Sequence, residues 1–144
     1  MSPPIELATG TITTDAGERI RPDLRRNAFE ASGLADGATV LTRNDPWMSW
    51  SVARSIGGRP FRLGLYFHRE RLEMVVMAID EPAFGSSWAD WSLASEMARK
   101  AAHEEWLAKI DPSLGEGREF PWGVLESTYD EKGGGSQIVL RYRA

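Results

Sequence analysis

The stretch Phe61-Arg62-Leu63-Gly64-Leu65-Tyr66-Phe67-His68-Arg69-Glu70-Arg71-Leu72-Glu73-Met74-Val75-Val76-Met77 decides the fold. Its odd positions from 61 to 67 are all large and apolar, so a period of two places Phe61, Leu63, Leu65 and Phe67 on one face of a strand. The polar tetrapeptide His68-Arg69-Glu70-Arg71 then turns the chain into a second apolar run. Together they predict a β-hairpin buried on at least one side. Upstream, 39–41 and 47–56 read as further strands joined by short links, which implies an antiparallel sheet.

Downstream the period changes. Ser86-Ser87 before Trp88-Ala89-Asp90 is an N-cap signal with an acid in the first turn, and neither Gly nor Pro interrupts the chain before Pro112. A long helix over 88–110 is predicted, with Trp91, Ala94, Ala98, Ala101, Ala102 and Trp106 as the stripe that lies on the sheet. Glu96 with Lys100 and Glu105 with Lys109 are expected as i,i+4 pairs on its wet side. After it, 120–129 and 136–142 read as two strands around the turn Asp130-Glu131-Lys132-Gly133-Gly134-Gly135. Near the start, residues 5–22 suggest short strands or an irregular arm, and 23–32 a short helix with Leu24 and Phe29 as its buried contacts. The expected fold class is α+β: one antiparallel sheet packed on one long helix, as a single domain over residues 1–144.

Composition narrows the function. The chain has 144 residues, a net charge of −4 and no cysteine. Disulfides, thiolate metal sites and a cysteine nucleophile are therefore excluded. The mild acidity argues against a nucleic-acid partner, which would call for a basic excess on one face. The first six residues lack the basic and apolar regions of a secretory signal, and the longest apolar run, 74–79, is too short to span a bilayer. A cytoplasmic protein with no membrane partner is expected.

Catalytic motifs are incomplete. The glycine run follows its lysine and so is no phosphate loop, and Gly134-Gly135-Ser136-Gln137-Ile138 lacks the last glycine of a nucleophile elbow. Asp130-Glu131-Lys132 matches half of a metal-dependent nuclease signature without its Pro-Asp partner nearby. His103-Glu104-Glu105-Trp106-Leu107 has leucine where a zinc motif needs a second histidine, so His68 and His103 read as surface or boundary residues. No catalytic, cofactor-binding or metal-binding residues are assigned.

Six tryptophans stand out. Trp91 and Trp106 belong to the expected helix stripe, whereas Trp47 and Trp50 follow Asn44-Asp45-Pro46 and suit an exposed anchor. Residues 80–105 carry six acids against two bases, an excess of −4, which reads either as a solvated helix face or as a docking surface for a basic partner. Asp45, Trp47, Trp50, Asp80, Glu81 and Asp90 are the candidate interface residues.

Residues 85–92, 99–107, 120–124, 127–136 and 141–142, among them Gly85-Ser86-Ser87-Trp88-Ala89-Asp90-Trp91-Ser92 and Phe120-Pro121-Trp122-Gly123-Val124, resemble small bacterial immunity proteins of polymorphic toxin and type VI or contact-dependent secretion systems. The likeness covers about residues 57–143. It implies a non-enzymatic cytoplasmic inhibitor that binds one cognate protein toxin, without a cofactor and with no catalytic residues to carry over. Two other readings stay open: a small-ligand-binding or enzymatic domain with an aromatic-lined pocket between sheet and helix, and a homodimer or structural subunit pairing through a strand edge at 136–142.

Overall fold

A computed structural model describes residues 3–85 and 87–144. Three short strands, β1 (Ile5–Glu6), β2 (Thr11–Thr13) and β3 (Arg19–Ile20), make a small antiparallel sheet. Its register sets Ile5 opposite Ile12 and Ile12 opposite Ile20, so each strand contributes one isoleucine to a fully buried row. A single-turn helix α1 (Arg26–Glu30) follows and buries Phe29. It is shorter than the expected 23–32, because Ser32 leaves the helical path to cap the next 3-10 turn, its Oγ accepting the Leu34 N–H.

The second sheet has seven strands: β4 (Thr39–Asn44), β5 (Trp47–Ile56), β6 (Arg59–His68), β7 (Arg71–Ile79), β8 (Gly117–Phe120), β9 (Gly123–Asp130) and β10 (Gly135–Tyr142). Their order is β4-β5-β6-β7-β10-β9-β8, with every pair antiparallel. Phe61, Leu63, Leu65 and Phe67 all face the core, as the alternation predicts. Gly57 and Gly58, with φ of 58° and 78°, supply the two left-handed residues that a tight β5–β6 hairpin needs. Where one strand over 120–129 was expected, the chain turns at Pro121-Trp122 and forms β8 and β9 instead. Proline brings no N–H to a ladder, which favours this break.

The long helix α2 spans Leu93–Ile110, not 88–110. Ser92 is the stronger start, since its side chain accepts the Ser95 N–H. Ahead of it Trp88–Asp90 forms a separate 3-10 turn, closed by the Asp90 carboxylate accepting the Ser87 N–H and hydroxyl. Ser86, the other half of the expected cap, lies outside the described residues. Helix α2 packs on β7, β9 and β10. The core formed by its inner side, the small sheet and α1 against one face of the large sheet is a single continuous cluster from Ile5 to Tyr142.

Candidate functional site

The two central strands of the large sheet come apart. Strands β7 and β10 pair from Met74 with Arg141 to Met77 with Ile138, and the same register would go on to set Ala78 opposite Gln137 and Ile79 opposite Ser136, yet neither pair is formed. Side chains of α2 take over the vacated hydrogen bonds. The Ser136 N–H donates to Glu96 Oε1 (2.9 Å), and the Ser136 hydroxyl to the Glu96 carbonyl (2.6 Å). The Ile79 N–H donates to His103 Nε2 (3.0 Å), while Arg99 Nε donates to the Ile79 carbonyl (3.0 Å). Arg99 also donates to the Glu96 carboxylate and to the Gly85 carbonyl.

Positions 96, 99 and 103 follow one another at helical steps of three and four, so one face of α2 meets the parted strands. His103 has 0% of its surface exposed, which overturns its reading as a boundary residue. Burial, then the charges of Arg99, Arg59 and Lys100, lower its pKa to about 4. With Nε2 accepting a backbone N–H, the proton of the neutral ring sits on Nδ1, which finds no partner among the described residues.

The parting opens a cleft of about 420 Å³ at this end of the sheet. Trp88 and Trp91 form one wall and the β9–β10 turn another. The Trp91 indole N–H donates to the Gly134 carbonyl (2.7 Å), joining two sequence motifs that lie 43 residues apart. Gly134 has φ 70°, and a Cβ there would lie 3.0 Å from Trp88 and 3.1 Å from Trp91, so this turn requires glycine. The charges in the cleft are matched internally, Arg99 with Glu96 and Arg62 with Asp80. Ser136 is engaged by the helix and His103 is sealed beneath it, so these two do not act as a nucleophile and base in the cleft. Among the described residues no group of three or more His, Asp or Glu is placed to hold a metal.

The inner side of α2 carries Glu96 and His103 together with Trp106 and Leu107, and a second set of apolar residues faces out. Ala94, Ala98 and Ala101, three members of the stripe expected against the sheet, are exposed, and so is Ala108. Leu93 is 52% exposed, Met97 39% and Trp88 74%. Trp91 precedes the helix and is itself partly exposed; only Trp106 and, in part, Ala102 point inward. Glu96, expected on the wet side with Lys100, is buried and pairs with Arg99, while Lys100 binds Glu104 and Glu116.

The six interface candidates do not form one surface. Asp45 and the exposed Trp47 lie at the β4–β5 turn. Asp80 and Glu81 follow β7 at the opposite end of the sheet, paired with Arg62 (3.4 Å) and Arg59 (2.6 Å). The ends are separated by about 30 Å of strand. Asp90 sits beside Trp88, in the region of Asp80. Trp50 is only 9% exposed and is held by Phe29, Phe67 and the Arg26 guanidinium, so it is a core residue and offers a partner no anchor. The strand at 136–142 is not an edge either, since β10 lies between β7 and β9, and the free edges are β4 and β8. Trp88, Leu93 and Met97 were missed; the signal available was the polar series Glu96, Arg99, His103 at the same spacing as the alanines.

No known protein family, curated protein or solved structure matches this chain. No helix of the described residues is long and apolar enough to cross a membrane.

Proposed function

We propose that the protein is a non-enzymatic, cytoplasmic, immunity-type inhibitor that binds a cognate bacterial protein toxin and neutralises it without covalent chemistry. The observation that carries this reading is the outward apolar face of α2, Leu93, Ala94, Met97, Ala98 and Ala101, adjoining Trp88 and Trp91. Contiguous exposed apolar surface rimmed by polar groups marks a protein-binding site, and tryptophan is the residue most enriched at binding hot spots. Trp91 is already pinned by Gly134, so little side-chain freedom is lost on docking. Asp80 and Glu81 are paired with Arg62 and Arg59, so the apolar and indole surface, and not an excess of negative charge, carries the docking.

The test is capture with the tagged chain, followed by expression of the captured polypeptide alone and together with the bait. A stoichiometric partner that arrests growth alone and is tolerated in co-expression supports the reading. Trp88→Ala and Ala98→Glu are expected to weaken that complex by about 30-fold or more, equivalent to roughly 2 kcal/mol. Full protection by both variants would remove α2 from the interface.

A further inference from the structure

The large sheet ends in two edges of different character. Strand β8 has four residues and carries Arg118 and Glu119, and both shortness and charge keep an edge from pairing. Strand β4 has six residues, without proline or lysine and with Arg43 as its one charge. Apart from its ladder to β5, its backbone hydrogen-bonds to no described residue. Val40 and Leu41 on this edge are exposed, as is Trp47 at the β4–β5 turn. They form an apolar cluster separate from α2, which packs on β7, β9 and β10.

Beside the edge lies a recess of about 210 Å³, lined by Thr42, Trp47, Met48, Ser49 and Tyr66. It faces away from the core, because Thr42 stands opposite Ser49 and Ser49 opposite Tyr66, in alternation with the buried Met48 and Trp50. A Cβ on Gly64 would stand 2.9 Å from the Tyr66 ring, so the ring leans along β6 over Gly64 and leaves the space next to Trp47 open. Arg43 pairs with Met48 and so lies on the other face of the strand from Thr42. Arg69, whose N–H donates to the Pro46 carbonyl, is exposed like Arg43. Neither arginine has an ion pair among the described residues, and Asp45 in the turn beside them pairs with neither.

These features select the occupant. An unpaired backbone edge takes an extended strand. A second copy of β4 fits poorly: the ladder residues it turns to the recess face are Thr39 and Thr42, too small to fill it, and it brings another Arg43 in place of an acid. The bulge at Leu41 also bends the strand, which hinders two rigid copies and not a flexible segment. We propose that β4 binds an extended segment of another protein, added to the sheet as a further antiparallel strand, with one large apolar side chain in the recess beside Thr42 and an acidic side chain on Arg43. Successive strand residues point to opposite faces, so the two are neighbours in sequence, and antiparallel addition puts the acid first. The site is independent of the α2 face.

The test is a fluorescence-anisotropy titration of the full chain into a labelled octapeptide of serine and threonine with glutamate and then phenylalanine at its two central positions, with amide exchange of β4 followed by NMR. Saturable binding and slowed exchange at alternate β4 amides are expected. Alanine in place of the peptide's phenylalanine is expected to weaken binding about tenfold or more. Arg43→Glu is expected to weaken it several-fold and to regain affinity for the peptide with lysine in place of glutamate, a reversal that a structural arginine would not give. Absence of saturable binding, protection confined to α2, or equal binding by Arg43→Glu overturns the proposal. A concentration-dependent dimer that Leu41→Lys abolishes and that excludes the peptide names a second copy as the occupant and overturns it as well.

Discussion

His103 has its Nε2 committed to the Ile79 N–H and its surroundings dry and cationic, so it folds as a neutral ring with a pKa of about 4 in place of 6.5. Between those two values the unfolded chain binds more protons than the folded one. Stability is therefore fully present above pH 6.5 and falls as pH drops from 6.5 to 4, by about 3 kcal/mol from this residue. Urea unfolding at a series of pH values measures it. The slope in this window should shrink in His103→Gln, whose amide oxygen can still accept from Ile79, while the carboxylates contribute alike to both proteins; an unchanged slope would place the acid sensitivity elsewhere. The spacing of Glu96, Arg99 and His103 puts them on one helix face, but it does not say that this face is the buried one. The partner of His103 is a backbone N–H, and backbone partners leave no trace in a side-chain pattern. Gly134 was easier to read, because a run of three glycines announces a turn by itself, although the tryptophans that close on it do not.

The elements were legible where hydrophobic period and burial agree. The hairpins of β5, β6 and β7 place alternate side chains in one core, and their alternation is visible in the residues alone. Helix α2 was legible as a helix but not in its orientation. It carries an alanine stripe and a polar stripe with the same spacing, and the rule that apolar residues point inward places Trp106 correctly but misplaces Ala94, Ala98 and Ala101. The polar stripe prevails because the parted strands have unmet backbone groups that alanine cannot satisfy. Glu96→Ala should then leave both Arg99 and the Ser136 N–H without their buried acceptor and lower stability by about 3–5 kcal/mol in chemical denaturation. Glu96→Gln keeps an acceptor for Ser136 and should lose clearly less. Equal losses would mean that only the charge of Glu96 matters.

At the scale of the whole molecule, the small sheet is fastened to the end of the large one by two aromatic side chains. The Trp122 indole donates to the Leu7 carbonyl (2.7 Å) and the Tyr142 hydroxyl to the Gly10 carbonyl (2.8 Å), and Gly10 is pressed so closely on Trp122 that a Cβ would lie 2.6 Å from the ring. Tyr142→Phe leaves that carbonyl without its donor and should cost about 1–3 kcal/mol. Ala98→Glu, on the outward face of α2, should change stability by no more than about 0.5 kcal/mol, so thermal melts of the two variants separate a structural contact from a surface held for a partner. Why the interface candidates fell at both ends of the molecule is a matter of topology. An antiparallel chain reverses at every hairpin, so residues 45–47 and 80–81 are close in sequence terms yet finish at opposite poles. The parted strands carry one more consequence, in time instead of space. The amide protons of Ile79 and Ser136 are held by helix side chains and not by each other, so their exchange with solvent deuterium is gated by the lifting of α2. Those two amides act as a clock for the helix, and the middle of the sheet cannot breathe there without it.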